Sequence, residues 1–134
     1  MPAILTNLNL SILVVDDSLN ALRVTRGMLR KLGYDNVALA NGGNTALDMM
    51  RENNYDLVIC EWNMKPMTGY ELLRRMHTAI GRIPFLLMAA QPRLENVEAA
   101  RDAGASGFIA RPLNAATLKA KIDAAMASRY FMDD

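Results

Sequence analysis

At 134 residues, with 51% hydrophobic and 22% charged side chains, the chain has the length of one domain with an ordinary core and is too apolar to be disordered. Its net charge of +1 lacks the basic excess of a nucleic-acid domain, and no apolar run is long enough to cross a bilayer. Met1-Pro2-Ala3-Ile4-Leu5 has neither the basic flank nor the apolar length of an export signal, and the single cysteine, Cys60, cannot form an internal disulfide, so a cytoplasmic protein is expected.

Residues 1–10 read as an N-terminal tail before one domain at residues 11–127. Ser11 to Val15 is an uninterrupted apolar strand, the pattern of a strand covered on both faces. Ser18 is suited to cap a helix that runs to about Leu32, with Leu22, Met28 or Leu29, and Leu32 inward and Gly33 ending it. Asn36 to Leu39 is a short strand, and Asn41-Gly42-Gly43 turns into a helix over 44–52 with Ala46, Leu47 and Met50 inward. Asp56 to Cys60 is the next apolar strand; it ends on Glu61 and leads into a loop closed by Gly69. A helix over 70–78 buries Leu72, Leu73 and Met76. Pro84 precedes a strand over 85–88, where its missing N–H is tolerated, and Pro92 suits the first turn of a helix that runs to about Ala103. Gly104 and Gly107 bracket a turn before the strand Phe108-Ile109-Ala110. Asn114 caps a last helix to about Ala127 with Leu118, Ile122 and Met126 inward, and residues 128–134 form a C-terminal tail.

Five strands alternating with five helices predict an α/β fold, a doubly wound, mostly parallel sheet with helices on both faces. Such sheets present ligands at the carboxyl ends of their strands, near the point where strand order reverses. Asp16, Asp17, Glu61, Ala89 and Arg111 all fall at or just past those ends. Three carboxylates and one guanidinium are thus expected at one edge.

Several separated motifs carry a resemblance over 11–126: Val14-Val15-Asp16-Asp17-Ser18, Trp62-Asn63-Met64 with Met67-Thr68-Gly69, Ile83-Pro84, Ala103-Gly104-Ala105-Ser106-Gly107-Phe108, and Arg111-Pro112. Together they resemble the receiver domain of two-component response regulators, of the CheY-like single-domain kind. The resemblance implies a flavodoxin-like (βα)5 three-layer sandwich with parallel strand order 2-1-3-4-5. It also implies a magnesium site that takes a phosphoryl group from a histidine kinase, with no enzymatic activity beyond, at most, magnesium-dependent self-phosphorylation on a carboxylate. By the same resemblance Asp16, Asp17, Glu61 and the Asn63 carbonyl are the metal-binding positions. Phe108 is the aromatic signalling switch, and the Arg111–Pro112 bond is cis.

The chain departs from the family pattern where the chemistry lies. Glu61 stands at the aspartate phosphoacceptor position, Ala89 at the switch threonine or serine, and Arg111 at the lysine that ends the fifth strand. Lys65 occupies the usual proline position, with Pro66 next. One added methylene moves the Glu61 carboxylate by roughly an ångström, a displacement that can cost on the order of a hundredfold in an in-line transfer. Ala89 has no hydroxyl to follow a phosphate. The planar Arg111 guanidinium suits a carboxylate pair, so a Glu61–Arg111 ion pair is expected, and any magnesium site should be weak.

These features predict a non-phosphorylatable or fixed-state receiver acting by protein–protein interaction through its fourth helix, fifth strand and fifth helix. Its partners would be a histidine kinase, a phosphotransfer protein, another response regulator or a second copy, with no nucleic acid and no membrane. The alternative is a receiver that still accepts phosphate on Glu61. No effector segment follows Met126, so output is expected through another protein. Glu61 is read either as a partial mimic of the phosphorylated state or as an inert partner of Arg111. Asp16-Asp17 is read either as a metal pocket or as a helix-entry pair. A flavodoxin-like cofactor protein is disfavoured, because three carboxylates at the mouth would repel a flavin phosphate. Thr68 is a loop hydroxyl, His77 lacks partners at ligand spacing, and the ten methionines read as core filler. Trp62 is placed at the solvent edge of the site, and Tyr130 and Phe131 in the C-terminal tail are candidate dimer or partner contacts.

Overall fold

The structure is a computed structural model that describes residues 8–132, with side-chain surroundings through Ala127. The strands are β1 (Ile12–Val15), β2 (Val37–Ala40), β3 (Leu57–Glu61), β4 (Phe85–Ala89) and β5 (Gly107–Ala110). The helices are α1 (Leu19–Lys31), α2 (Gly43–Glu52), α3 (Gly69–Ala79), α4 (Leu94–Asp102) and α5 (Ala115–Met132). All strand pairs are parallel, in the order β2-β1-β3-β4-β5. This is the flavodoxin-like α/β arrangement, with order reversal between β1 and β3.

The apolar strands divide by alternation, because successive side chains point to opposite faces of a sheet. Leu13, Val15, Val58, Cys60, Phe85 and Leu87 pack with Ala46, Leu47 and Met50 of α2, Leu72, Leu73 and Met76 of α3, and Ala100 of α4. Ile12, Val14, Leu57, Ile59, Leu86, Met88 and Ile109 pack with Leu22 and Leu29 of α1 and with Leu118, Ile122 and Met126 of α5. Two cores thus sandwich one sheet, which explains why β1, β3 and β4 are continuously apolar rather than alternating.

Local signals set most boundaries. The Ser18 hydroxyl accepts from the Ala21 N–H, Asn114 Oδ1 accepts from the Thr117 N–H, and Gly33, at φ 98°, carries the chain out of α1 in a backbone conformation that favours glycine. Several boundaries differ from expectation, and β3, at Leu57–Glu61, takes in the carboxylate expected just past its end. β2 lies one residue later, at Val37–Ala40. α4 starts at Leu94 rather than near Pro92; Arg93 occupies its cap and makes no side-chain capping bond. α5 continues to Met132, past the expected end near Ala127, since no glycine or proline interrupts the run. The side chains of Tyr130 and Phe131 lie outside the described residues.

Candidate functional site

The carboxyl ends of β1, β3, β4 and β5 bring Asp16, Glu61, Ala89 and Arg111 to one edge. Register does most of this, since Val15 pairs with Cys60, Glu61 with Met88, and Ala89 with Ala110. Arg111 is anchored there by its own N–H, which donates to the Ala89 carbonyl at 2.9 Å.

Asp16 and Glu61 are the two buried acids at this edge, 3% and 8% exposed. Burying a carboxylate is costly unless each oxygen finds a donor and the charge finds a partner. Asp16 Oδ1 accepts from the Ser18 N–H at 3.0 Å, and Glu61 Oε2 accepts from the Asn63 N–H at 3.0 Å. The remaining oxygens share one nitrogen. Arg111 Nη2 stands 2.7 Å from Asp16 Oδ2 and 3.0 Å from Glu61 Oε1. Arg111 therefore pairs with Glu61 and also with Asp16, a partner that the sequence did not signal. Its Nε is buried without a hydrogen-bond partner.

Burial raises the Glu61 pKa above the usual glutamate value; the Asn63 N–H and the Arg111 guanidinium oppose the rise, and Asp16 adds to it. Burial, and then the charges of Glu61 and Asp16, push the neighbouring Cys60 thiol well up. The thiol donates to the Glu61 carbonyl at 3.3 Å, as a structural group inside the core.

Asp17 turns outward and accepts from the Lys65 N–H at 3.2 Å, which ties β1 to the loop after β3. That loop is braced further by the Met64 and Gly69 N–H groups, both donating to the Trp62 carbonyl. Thr68 is a helix cap: its hydroxyl accepts from the Glu71 N–H at 3.1 Å, and Glu71 returns a carboxylate oxygen to the Thr68 N–H. The Lys65–Pro66 and Arg111–Pro112 bonds are both cis.

Trp62 is half-buried and lines an open cleft beside the site. It stacks on Tyr70 with ring centroids 5.4 Å apart and meets Phe108 at 5.8 Å, while Arg74 lies over the other end of the row, 5.8 Å from the Tyr70 ring. Position 108 is thus joined to the residue after Glu61. The Ala89 methyl borders a cleft of about 370 Å³ that Trp62, Asn63, Gln91 and Arg93 also line.

The oxygen donors at this edge suit a hard cation in kind. In arrangement they do not: among the described residues no three His, Cys, Asp or Glu side chains converge as a metal-binding group, and a guanidinium lies between the two buried carboxylates. Asp17, the third acid, faces the Lys65 backbone. The residues as placed do not fit a bound magnesium ion.

Comparison with known proteins agrees with this topology and adds family. The response regulator receiver domain model matches residues 12–123. Chemotaxis protein CheY-3 of Vibrio cholerae serotype O1 is 40% identical over 125 residues, covering 92% of this chain and 95% of that protein. Chemotaxis protein CheY of Pseudomonas aeruginosa is 37% identical over 116 residues, covering 85% of this chain and 94% of its own. Among solved structures, the receiver domain of a sensor histidine kinase from Pseudomonas aeruginosa PAO1, with magnesium coordinated in its active-site cleft, superposes with a TM-score of 0.78 at 25% identity, covering 89% of this chain and 98% of that one. No described helix is long and apolar enough to cross a membrane.

Proposed function

The chain belongs to the response regulator receiver family, and we propose that within two-component signalling it is a single-domain pseudo-receiver. On this reading it does not accept phosphate, is held in one conformation and acts by protein–protein contact in the cytoplasm. The observation that carries the proposal is the state of Glu61. The carboxylate at the acceptor position is already engaged, with one oxygen on the Asn63 N–H and the other on Arg111 Nη2. In-line attack needs a free, correctly placed oxygen and charge neutralisation that rearranges around the incoming phosphoryl group. A guanidinium shared with Asp16 favours the ground state instead.

Ala89 supports the same reading, because no hydroxyl at that position can follow a phosphate and release Phe108. Any magnesium binding should accordingly be weak. The output face is the one formed by α4, β5 and α5. It carries an apolar depression of about 240 Å³ lined by Val97, Ala100, Ala105 and Phe108. Partners of suitable kind are a histidine kinase, a phosphotransfer protein, another response regulator or a second copy. Sizing the protein with and without residues 129–134 tests the last of these, and a monomer in both forms removes it.

The deciding experiment incubates the protein with magnesium and acetyl phosphate and records its intact mass. No adduct is expected. A stoichiometric phosphoryl adduct that disappears in Glu61→Gln overturns the proposal in favour of a phosphorylation-competent receiver. The companion variant combines Glu61→Asp, Ala89→Thr and Arg111→Lys, and should gain the adduct.

A further inference from the structure

We propose that the Arg111 guanidinium is the resident cation of this sheet edge and occupies the place a divalent ion would need, so that the wild-type chain does not take up magnesium there at millimolar concentration. The proposal deepens the pseudo-receiver reading and rests on it for the identity of the site. Its own support is geometric.

Asp16 and Glu61 are both buried, and together they bring two negative charges to one edge. Arg111 Nη2 lies within ion-pair distance of both, at 2.7 and 3.0 Å. The oxygens it does not touch, Asp16 Oδ1 and Glu61 Oε2, accept backbone N–H groups from Ser18 and Asn63. All four carboxylate oxygens are therefore engaged within the protein. Magnesium demands near-octahedral oxygen ligation at about 2.0–2.1 Å and gives up its water reluctantly. An ion reaching either of the two shared oxygens would lie against a guanidinium already in contact, and two cations cannot share that space without strong repulsion.

The position of Arg111 is fixed from the backbone side as well. Its N–H is bonded to the Ala89 carbonyl. The residue also lines an open cleft of about 550 Å³ with Asn20, Ala21, Val24 and Thr25 of α1. The buried Nε has no partner, so the two carboxylates are what hold the guanidinium head in place. Removing the head frees one oxygen on each acid while leaving the backbone donors that orient them.

Trp62, the single tryptophan, follows Glu61 directly, which makes its emission a suitable readout of this edge. The experiment titrates MgCl2 and, separately, MnCl2 into the intact chain at constant ionic strength, following Trp62 emission and the thermal midpoint. The wild type should show no saturable change across the millimolar range. Arg111→Ala should show one, with apparent metal affinity at least about tenfold above wild type and a midpoint that climbs with metal concentration. A saturable millimolar response in the wild type overturns the proposal and needs no variant to do so. Should Arg111→Ala fail to fold in buffer, Arg111→Gln serves as the second variant. If the folded variants bind metal no better than wild type, the guanidinium is not what fills the cation position and the proposal falls. Wild-type metal binding without a phosphoryl adduct removes this inference and leaves the pseudo-receiver reading intact, whereas an adduct removes that reading itself.

Discussion

Gly69 faces the carbonyl oxygen of Glu61 so closely that a Cβ at position 69 would collide with it, and would also lie 2.8 Å from Leu87 Cδ2. The first residue of α3 is therefore packed against the backbone of the residue that defines the site. Backbone cannot yield as a flexible side-chain tip can. Gly69→Ala should destabilise the fold by about 1–3 kcal/mol through overpacking and lower the thermal midpoint by several degrees. Thermal unfolding of the variant checks this, and an unchanged midpoint sinks the argument.

The Asp16–Arg111–Glu61 cluster should behave as a coupled unit. Arg111→Ala leaves two buried carboxylates without their cation and should cost roughly 2 kcal/mol, moderated by the partial exposure of the arginine. Glu61→Gln keeps an acceptor for the Asn63 N–H and leaves Arg111 with Asp16, so it should cost less. Combined with Arg111→Ala, it should cost less than the sum of the two, because it removes one of the stranded charges. Urea unfolding of the four proteins closes the cycle, and strict additivity would contradict the geometry.

His77 supplies a pH dependence away from the site. It lies in α3 and packs against Gly104, where an added Cβ would meet its Cε1 at 2.7 Å. Burial, and then the charge of Arg82, lower its pKa from the ordinary 6.5. The native state thus favours the neutral ring, and below that value the unfolded state takes up the proton first. The contribution of His77 to stability is complete above pH 6.5 and is lost progressively as pH falls from there through the lowered native value. The gap between urea midpoints measured at about pH 7.5 and about pH 5.5 should narrow in His77→Gln. An unchanged gap would assign the dependence to other groups.

Cys60 should be chemically silent in the native protein. Its thiol is fully buried and disfavours ionisation, first through burial and then through the Glu61 and Asp16 charges. Reaction with a disulfide reagent should be slow in buffer and should become complete on unfolding in denaturant. Rapid, stoichiometric native labelling would place the thiol outside the core.

Much of this architecture was legible in the order of residues. The continuous apolar strands announced a sheet covered on both faces, and the acids and the arginine at their ends announced an edge rich in charge. Ser18 and Asn114 marked helix starts through hydroxyl and amide acceptors that the structure uses. What escaped reading depended on long side chains and distant contacts. The Asp16–Arg111 pair joins residues 95 positions apart and turns on where one flexible guanidinium comes to rest. The ring contacts of Trp62 likewise depend on Tyr70 and Phe108 arriving from two different elements. Pro92, a common first-turn residue, points to an earlier start for α4 than the structure has, because the helix begins after Arg93 without a side-chain cap.

The aromatic row from Tyr70 through Trp62 to Phe108 gives the outer face and the charged edge a common member. Thermodynamic linkage is reciprocal. Where a partner's affinity depends on the state of this row, the partner alters the edge by the same free energy that the edge exerts on the partner. For the pseudo-receiver proposed above, any such coupling is felt at both ends: an occupant of the face and a substitution at Arg111 shift one another's equilibria by the same amount.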